Sequence, residues 1–94
     1  MSISVKCQYA IRALFELGKR RNQGLVRLQD VAAAQRIPQR FLENILNQLR
    51  QGGFVESRRG KDGGFVLLRQ PAQITICDVV VFIDGPIYPV ECGG

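Results

Sequence analysis

The sequence contains no histidine, which removes Ser-His-Asp triads, Cys-His dyads and the usual nitrogen ligands of catalytic zinc. Cysteine is scarce as well. Cys7, Cys77 and Cys92 are an odd number, widely spaced, with no CxxC pair and no disulfide-scaffold density, a usage that points to a reducing, intracellular compartment. Long apolar runs are missing too: the longest, Val79 to Ile83, falls far short of the ~20 residues of a membrane span. The N-terminal stretch MSISVKCQYA lacks the basic-then-apolar pattern of a secretion signal, so a soluble cytoplasmic protein without membrane attachment is expected. Nor is an enzyme expected. The carboxylates are scattered, no serine or cysteine has a nearby base, and no glycine pattern follows a strand to open a phosphate-binding helix.

What remains is one small domain of 94 residues, 46% hydrophobic, with a net charge of +5 that is unevenly spread. Residues 1–22 carry +4, residues 23–35 are neutral, residues 36–61 carry another +4 and residues 62–94 carry −3. A basic front and an acidic tail suggest a surface that faces a polyanion, although a solvated basic face would give the same totals.

Periodicity supplies the geometry. Ser4 can cap a helix over Ile3 to Arg21, in which Val5, Tyr9, Ala10, Ala13, Leu14 and Leu17 recur at three- and four-residue steps. Asn22-Gln23-Gly24 reads as a turn, and Leu28, Val31, Ala32 and Gln35 outline a short second helix with Asp30 in its first turn. Ile37-Pro38 ends it and opens a third helix, because proline restricts the residue before it yet fits a first helical turn. There Leu42, Ile45, Leu46 and Leu49 form an apolar stripe, while Gln39, Arg40, Glu43, Asn44, Asn47 and Gln51 lie away from it, and Gly52-Gly53 stops the helix. Two strand-like runs, Phe54 to Ser57 and Gly64 to Leu68, flank the basic segment Arg58 to Gly63 and predict a hairpin. Thr75 to Asp84 opens with Thr-x-x-Asp and stops at Gly85-Pro86, predicting a fourth helix.

Two helices joined by a tight turn and followed by a basic hairpin make a winged helix-turn-helix: mainly α with a small β-hairpin. We place this domain at residues 1–85 and read residues 86–94 as the start of a truncated or short C-terminal segment. The polar face of the third helix offers the donors and acceptors that base edges recognise, each good bidentate pair being worth ~1–3 kcal/mol of discrimination. Arg58, Arg59, Gly60 and Lys61 give the wing three cations on an exposed backbone, suited to phosphates or a narrow minor groove.

These residues resemble the Rrf2-type bacterial transcription regulators, a group with members controlling iron–sulfur cluster assembly, nitric-oxide response and cysteine metabolism. The resemblance runs through nearly the whole chain. It rests on Lys6 with Tyr9-Ala10 and Ala13-Leu14, on Asp30-Val31-Ala32, and on Ile37 with Phe41-Leu42-Glu43, Leu46 and Leu49-Arg50. It continues through Gly53-Phe54-Val55, Arg59-Gly60, Gly63-Gly64-Phe65, Ile74-Thr75 and Asp78-Val79. It implies a homodimer on a palindromic double-stranded DNA operator, with Gln39, Arg40, Phe41, Glu43 and Asn44 facing the major groove, Arg59 in the minor groove and Lys6 among the contacts. Phe41 stands where the family often has tyrosine, so either a phosphate-bonding hydroxyl is missing or the ring completes the core edge. Arg27 stands where a capping serine is common, Arg36 replaces a turn glycine, and Cys7 replaces a small glycine.

By the same resemblance, Cys92 falls where the first cysteine of an iron–sulfur cluster would be, and a long dimerisation helix would follow. One thiolate cannot hold a four-ligand cluster, so a cluster is expected only in a longer form of the chain, of which these residues are read as a fragment. Cys7 and Cys77 are expected to be packed small residues. The alternative function is a winged-helix protein-interaction module without specific DNA binding, using the acidic tail and Val79 to Ile83.

Overall fold

A computed structural model describes residues 4–58, 63–70 and 73–85. The winged helix-turn-helix expected from the sequence is what forms. α1 spans Val5–Lys19, a 3₁₀ turn Arg21–Gln23, α2 Leu28–Gln35, α3 Gln39–Gln51, β1 Val55–Arg58, β2 Gly64–Leu67 and α4 Ile76–Asp84. Helix one holds the whole apolar period but ends at Lys19, short of the expected Arg21, where the chain tightens into the 3₁₀ turn once the apolar residues run out.

α1 is the axis of the domain and packs against α2, α3 and α4. Its buried side is lined by Cys7, Ala10, Ala13, Leu14 and Leu17, the small residues letting neighbouring helices approach closely. Leu42, Ile45, Leu46 and Leu49 of α3 close on that side together with Val31, Ala32, Ile37, Phe54, Val55, Val79 and Val80. Each fully buried leucine or isoleucine contributes roughly 1.5–3 kcal/mol relative to exposure. The ends of α1 and α4 are also linked, since Ser4 donates from its backbone N (3.2 Å) and its Oγ (2.5 Å) to the Asp84 carboxylate.

The wing has one element the sequence reading missed. β1 and β2 pair antiparallel, with Val55 opposite Leu67 and Arg58 opposite Gly64. Val26, ahead of α2, forms a further antiparallel bridge to Phe65, with both N–H···O bonds at 2.8 Å. A single bridging residue has no period to detect. The close approach explains Gly64, where a Cβ would lie 2.6 Å from the Val26 carbonyl oxygen.

A buried polar clasp joins α1 to the end of α2. Glu16 is only 1% exposed, accepts from Arg20 Nε at 2.5 Å and from Gln35 Nε2 at 2.8 Å, and is held below the usual carboxylate range chiefly by the Gln35 hydrogen bond, against the opposing effect of burial. Arg12 donates from Nε to Gln35 Oε1 at 3.3 Å and from Nη2 to the Gln35 carbonyl oxygen. The amphipathic pattern assigned α1 a core stripe but gave no hint that an acid would lie inside it.

Candidate nucleic-acid interface

The α2–α3 turn presents α3 to solvent. Arg36 ends α2 in the left-handed region, φ 54° and ψ 48°, and Ile37 N donates to the Ala32 carbonyl at 2.9 Å. A non-glycine residue there costs roughly 1–2 kcal/mol, as expected where arginine replaces a turn glycine. Pro38 occupies the cap position of α3 without a side-chain cap bond, and the N-terminal N–H groups of the helix are left for other acceptors.

Gln39, Arg40, Phe41, Glu43 and Asn44 are all exposed, while the apolar stripe of α3 is fully covered. A cleft separates α3 from the hairpin, with Glu43, Asn47 and Arg50 on the helix side and Ser57, Arg58, Gly64 and Phe65 on the hairpin side. Arg58 is exposed at the end of β1, so Arg36, Arg40, Arg50 and Arg58 put four cations around the helix and its cleft. Arg59, Gly60 and Lys61, expected at the wing tip, lie outside the described residues. Lys6 is half-buried in the first turn of α1.

Phe41 does not complete the core. It remains 41% exposed, with its ring edge-on to Tyr9 at a centroid distance of 5.4 Å and an interplanar angle of 85°. The Arg12 guanidinium carbon lies 5.5 Å from the centroid of the Tyr9 ring, so the clasp at the end of α2 continues to the first turn of α3. Tyr9 and Arg12 were not singled out as a pair in the sequence, though their three-residue spacing on one helix was the available signal.

Metal ligation finds little support in this part of the chain. Among the described residues no group of three or more His, Cys, Asp or Glu side chains is placed to hold an ion. Cys7 is fully buried, and burial, followed by the Asp84 charge, pushes its thiol up and away from the thiolate that a metal requires. Cys77 is half-buried in the first turn of α4 and is disulfide-bonded, so it is not the packed free thiol that the sequence suggested. Cys92 lies outside the described residues. The described residues therefore do not fit a cluster by themselves. No helix among them is long and apolar enough to cross a membrane.

Comparison with known proteins agrees with this geometry. Residues 3–94 match the Rrf2 family model, described as an iron-dependent transcriptional regulator. The chain is 43% identical over 91 residues to a protein of Mycobacterium tuberculosis named as an HTH-type transcriptional regulator, covering 97% of this chain and 56% of the relative. It is 37% identical over 91 residues to the HTH-type transcriptional regulator CymR of Bacillus subtilis, covering 97% of this chain and 66% of that protein. The solved structure of the same CymR, titled a global cysteine regulator, superposes with a TM-score of 0.89 at 36% identity, over 97% of this chain and 70% of that one. The structure of T. potens IscR superposes with a TM-score of 0.82 at 32% identity, over 88% and 61%. This chain thus spans a little over half to two thirds of the curated relatives named here.

Proposed function

The chain belongs to the Rrf2 family of transcriptional regulators, and from that premise we propose that it binds double-stranded DNA sequence-specifically in the cytoplasm, as a homodimer on a palindromic operator. α3 enters the major groove with Gln39, Arg40, Phe41, Glu43 and Asn44 toward the bases. Arg58 and Lys61 follow phosphates, Gly60 lets the tip approach them, Arg59 reaches into the minor groove and Lys6 adds a backbone contact. Glu43 supplies the acceptor that cytosine N4 offers a partner for, and it opposes sites that lack one.

The observation that carries this reading is the division of α3: a fully covered apolar stripe on one side, and on the other an exposed row of arginine, amide and carboxylate groups bordered by an arginine-bearing hairpin. The test is binding to a random pool of duplexes about thirty base pairs long, across a salt series. Salt-dependent binding that enriches a palindrome, with a shallower salt slope in Arg59→Ala, supports the function; no binding, or a slope indifferent to Arg59→Ala, refutes it.

Ligand control extends the same reading. In a longer form of the protein Cys92 would be one iron–sulfur ligand, completed by residues outside these 94 and not by Cys7. Anaerobically prepared protein should then carry iron and a visible absorbance that Cys92→Ser removes, and colourless, iron-free full-length protein overturns the proposal.

A further inference from the structure

Phe41 is the one large apolar side chain among the exposed residues of α3. Exposure alone would mean little, since single apolar residues are common on surfaces. Phe41, however, is both exposed and held. Tyr9 meets its ring edge-on, Arg12 stacks on Tyr9, and Arg12 is itself bonded to Gln35 at the turn that launches α3. The ring belongs to the first turn of α3, and helical side chains lean toward the N-terminus, the end that a recognition helix directs at base edges. Arg40 precedes it and Asn44 lies at the i+3 position of the same helix, both exposed and polar, a setting that suits a polyanion carrying a small apolar group better than an apolar peptide.

The major groove offers one such group, the 5-methyl of thymine. We infer that Phe41 reads a thymine methyl in each half-site, as a specificity-determining residue of the DNA-binding function proposed above, on which this inference rests. Held by Tyr9, the ring gives up little rotamer freedom on binding. Glutamine and arginine nearby cannot do this work, because the methyl presents neither donor nor acceptor.

The experiment uses the full chain and a duplex that it selects from a random pool. Each thymine of the selected site is replaced in turn by deoxyuridine, which removes the methyl and leaves base pairing intact. Wild-type protein should bind about four-fold more weakly for one replaced thymine, the factor expected for one buried methyl group, and about fifteen-fold more weakly when the matching thymine of each half-site is replaced. Phe41→Ala should bind the thymine and deoxyuridine duplexes alike. The inference is overturned, with the DNA-binding function intact, if wild-type protein ignores every deoxyuridine replacement, if the selected site holds no thymine, or if Phe41→Ala keeps the thymine preference. A pool that enriches nothing overturns both. Equal binding counts as support only where Phe41→Ala keeps a wild-type circular dichroism spectrum and still binds the thymine duplex; should it unfold, Phe41→Gln takes its place with the same two outcomes.

Discussion

The two helices that frame the domain and the two that present its candidate interface end in opposite ways. α1 starts with Ser4 Oγ accepting from Cys7 N at 3.0 Å, and α4 with a reciprocal capping box in which Thr75 Oγ1 accepts from Asp78 N at 3.0 Å and Asp78 Oδ2 from Thr75 N at 3.2 Å. α2 and α3 have neither: Arg27 and Pro38 make no side-chain cap bond, and Arg36 between them sits in the left-handed region. Local rules are kept where only stability is at stake and broken where arginines border the helix of the candidate interface. Such breaches mark functional surfaces when another part of the structure holds them in place. Here that part is the Glu16–Gln35–Arg12 clasp, which ties the uncapped pair to α1.

The sharpest way to break this contrast is to open the clasp. Glu16→Ala leaves Gln35 and Arg20 without their buried acceptor, and should lower the free energy of unfolding by about 2–4 kcal/mol in a urea titration. The carboxyl has its own pH signature. Its folded pKa is depressed, so its stabilisation is full above the unfolded value of about 4.3 and is lost as pH falls through the lower folded value. Glu16→Gln should flatten that acid limb while leaving the shape of the curve near neutrality unchanged. An acid limb identical to wild type would mean that Glu16 is not what holds the pair.

The caps of the framing helices come next in size. Thr75→Ala and Ser4→Ala should each cost about 1 kcal/mol, Ser4 more than Thr75 because its Oγ also donates to Asp84. Neither residue borders α3, so the salt slope of DNA binding should stay at the wild-type value in both variants. A changed slope in Thr75→Ala would tie α4 to the interface and erase the distinction, whereas a change in Ser4→Ala alone would trace to Lys6 in the turn that Ser4 caps.

How much of this could be read in the sequence follows the same division. The four helices, the hairpin and both caps were legible because Ser4, the Thr75–Asp78 pair and the stripe Leu42, Ile45, Leu46, Leu49 are local signals with a fixed period. The left-handed Arg36 and the uncapped Arg27 were legible only as departures from a family pattern. The clasp was not legible, because Glu16, Gln35 and Arg12 belong to two helices and meet only after packing. Neither was the hold of Tyr9 on Phe41, or the bridge from Val26 to Phe65, each a pairing of residues distant in the chain.

Arg36 tests whether the strained turn is retained for its charge. Arg36→Gly should raise stability by about 0.5–1 kcal/mol, the relief of a left-handed arginine less the greater freedom of glycine in the unfolded chain. It should also weaken DNA binding similarly across sequences and lower the salt slope by about 1, as expected for one lost phosphate contact. A stabilised variant with an unchanged slope would reduce Arg36 to a turn residue.

The smallest expected effect isolates the last uncapped end. Arg27 precedes α2 with extended backbone, φ −73° and ψ 146°, the conformation that a capping residue adopts. Arg27→Ser puts a hydroxyl within reach of a free backbone N–H in the first turn of α2 without moving the chain, and should add about 0.5 kcal/mol of stability in chemical denaturation. The neighbouring Val26 bridge to Phe65 fixes the strand side of this residue, so the gain should not come with a shift of the wing. Arg27 is exposed, and its loss therefore reports on charge as well as capping. If DNA binding keeps its salt slope while stability rises, the missing cap at α2 is incidental and the contrast between framing and reading helices narrows to the α2–α3 turn. If the slope falls as it should for Arg36→Gly, both ends of α2 carry arginine in place of a better local residue for the same reason, which is the charge each brings to the DNA.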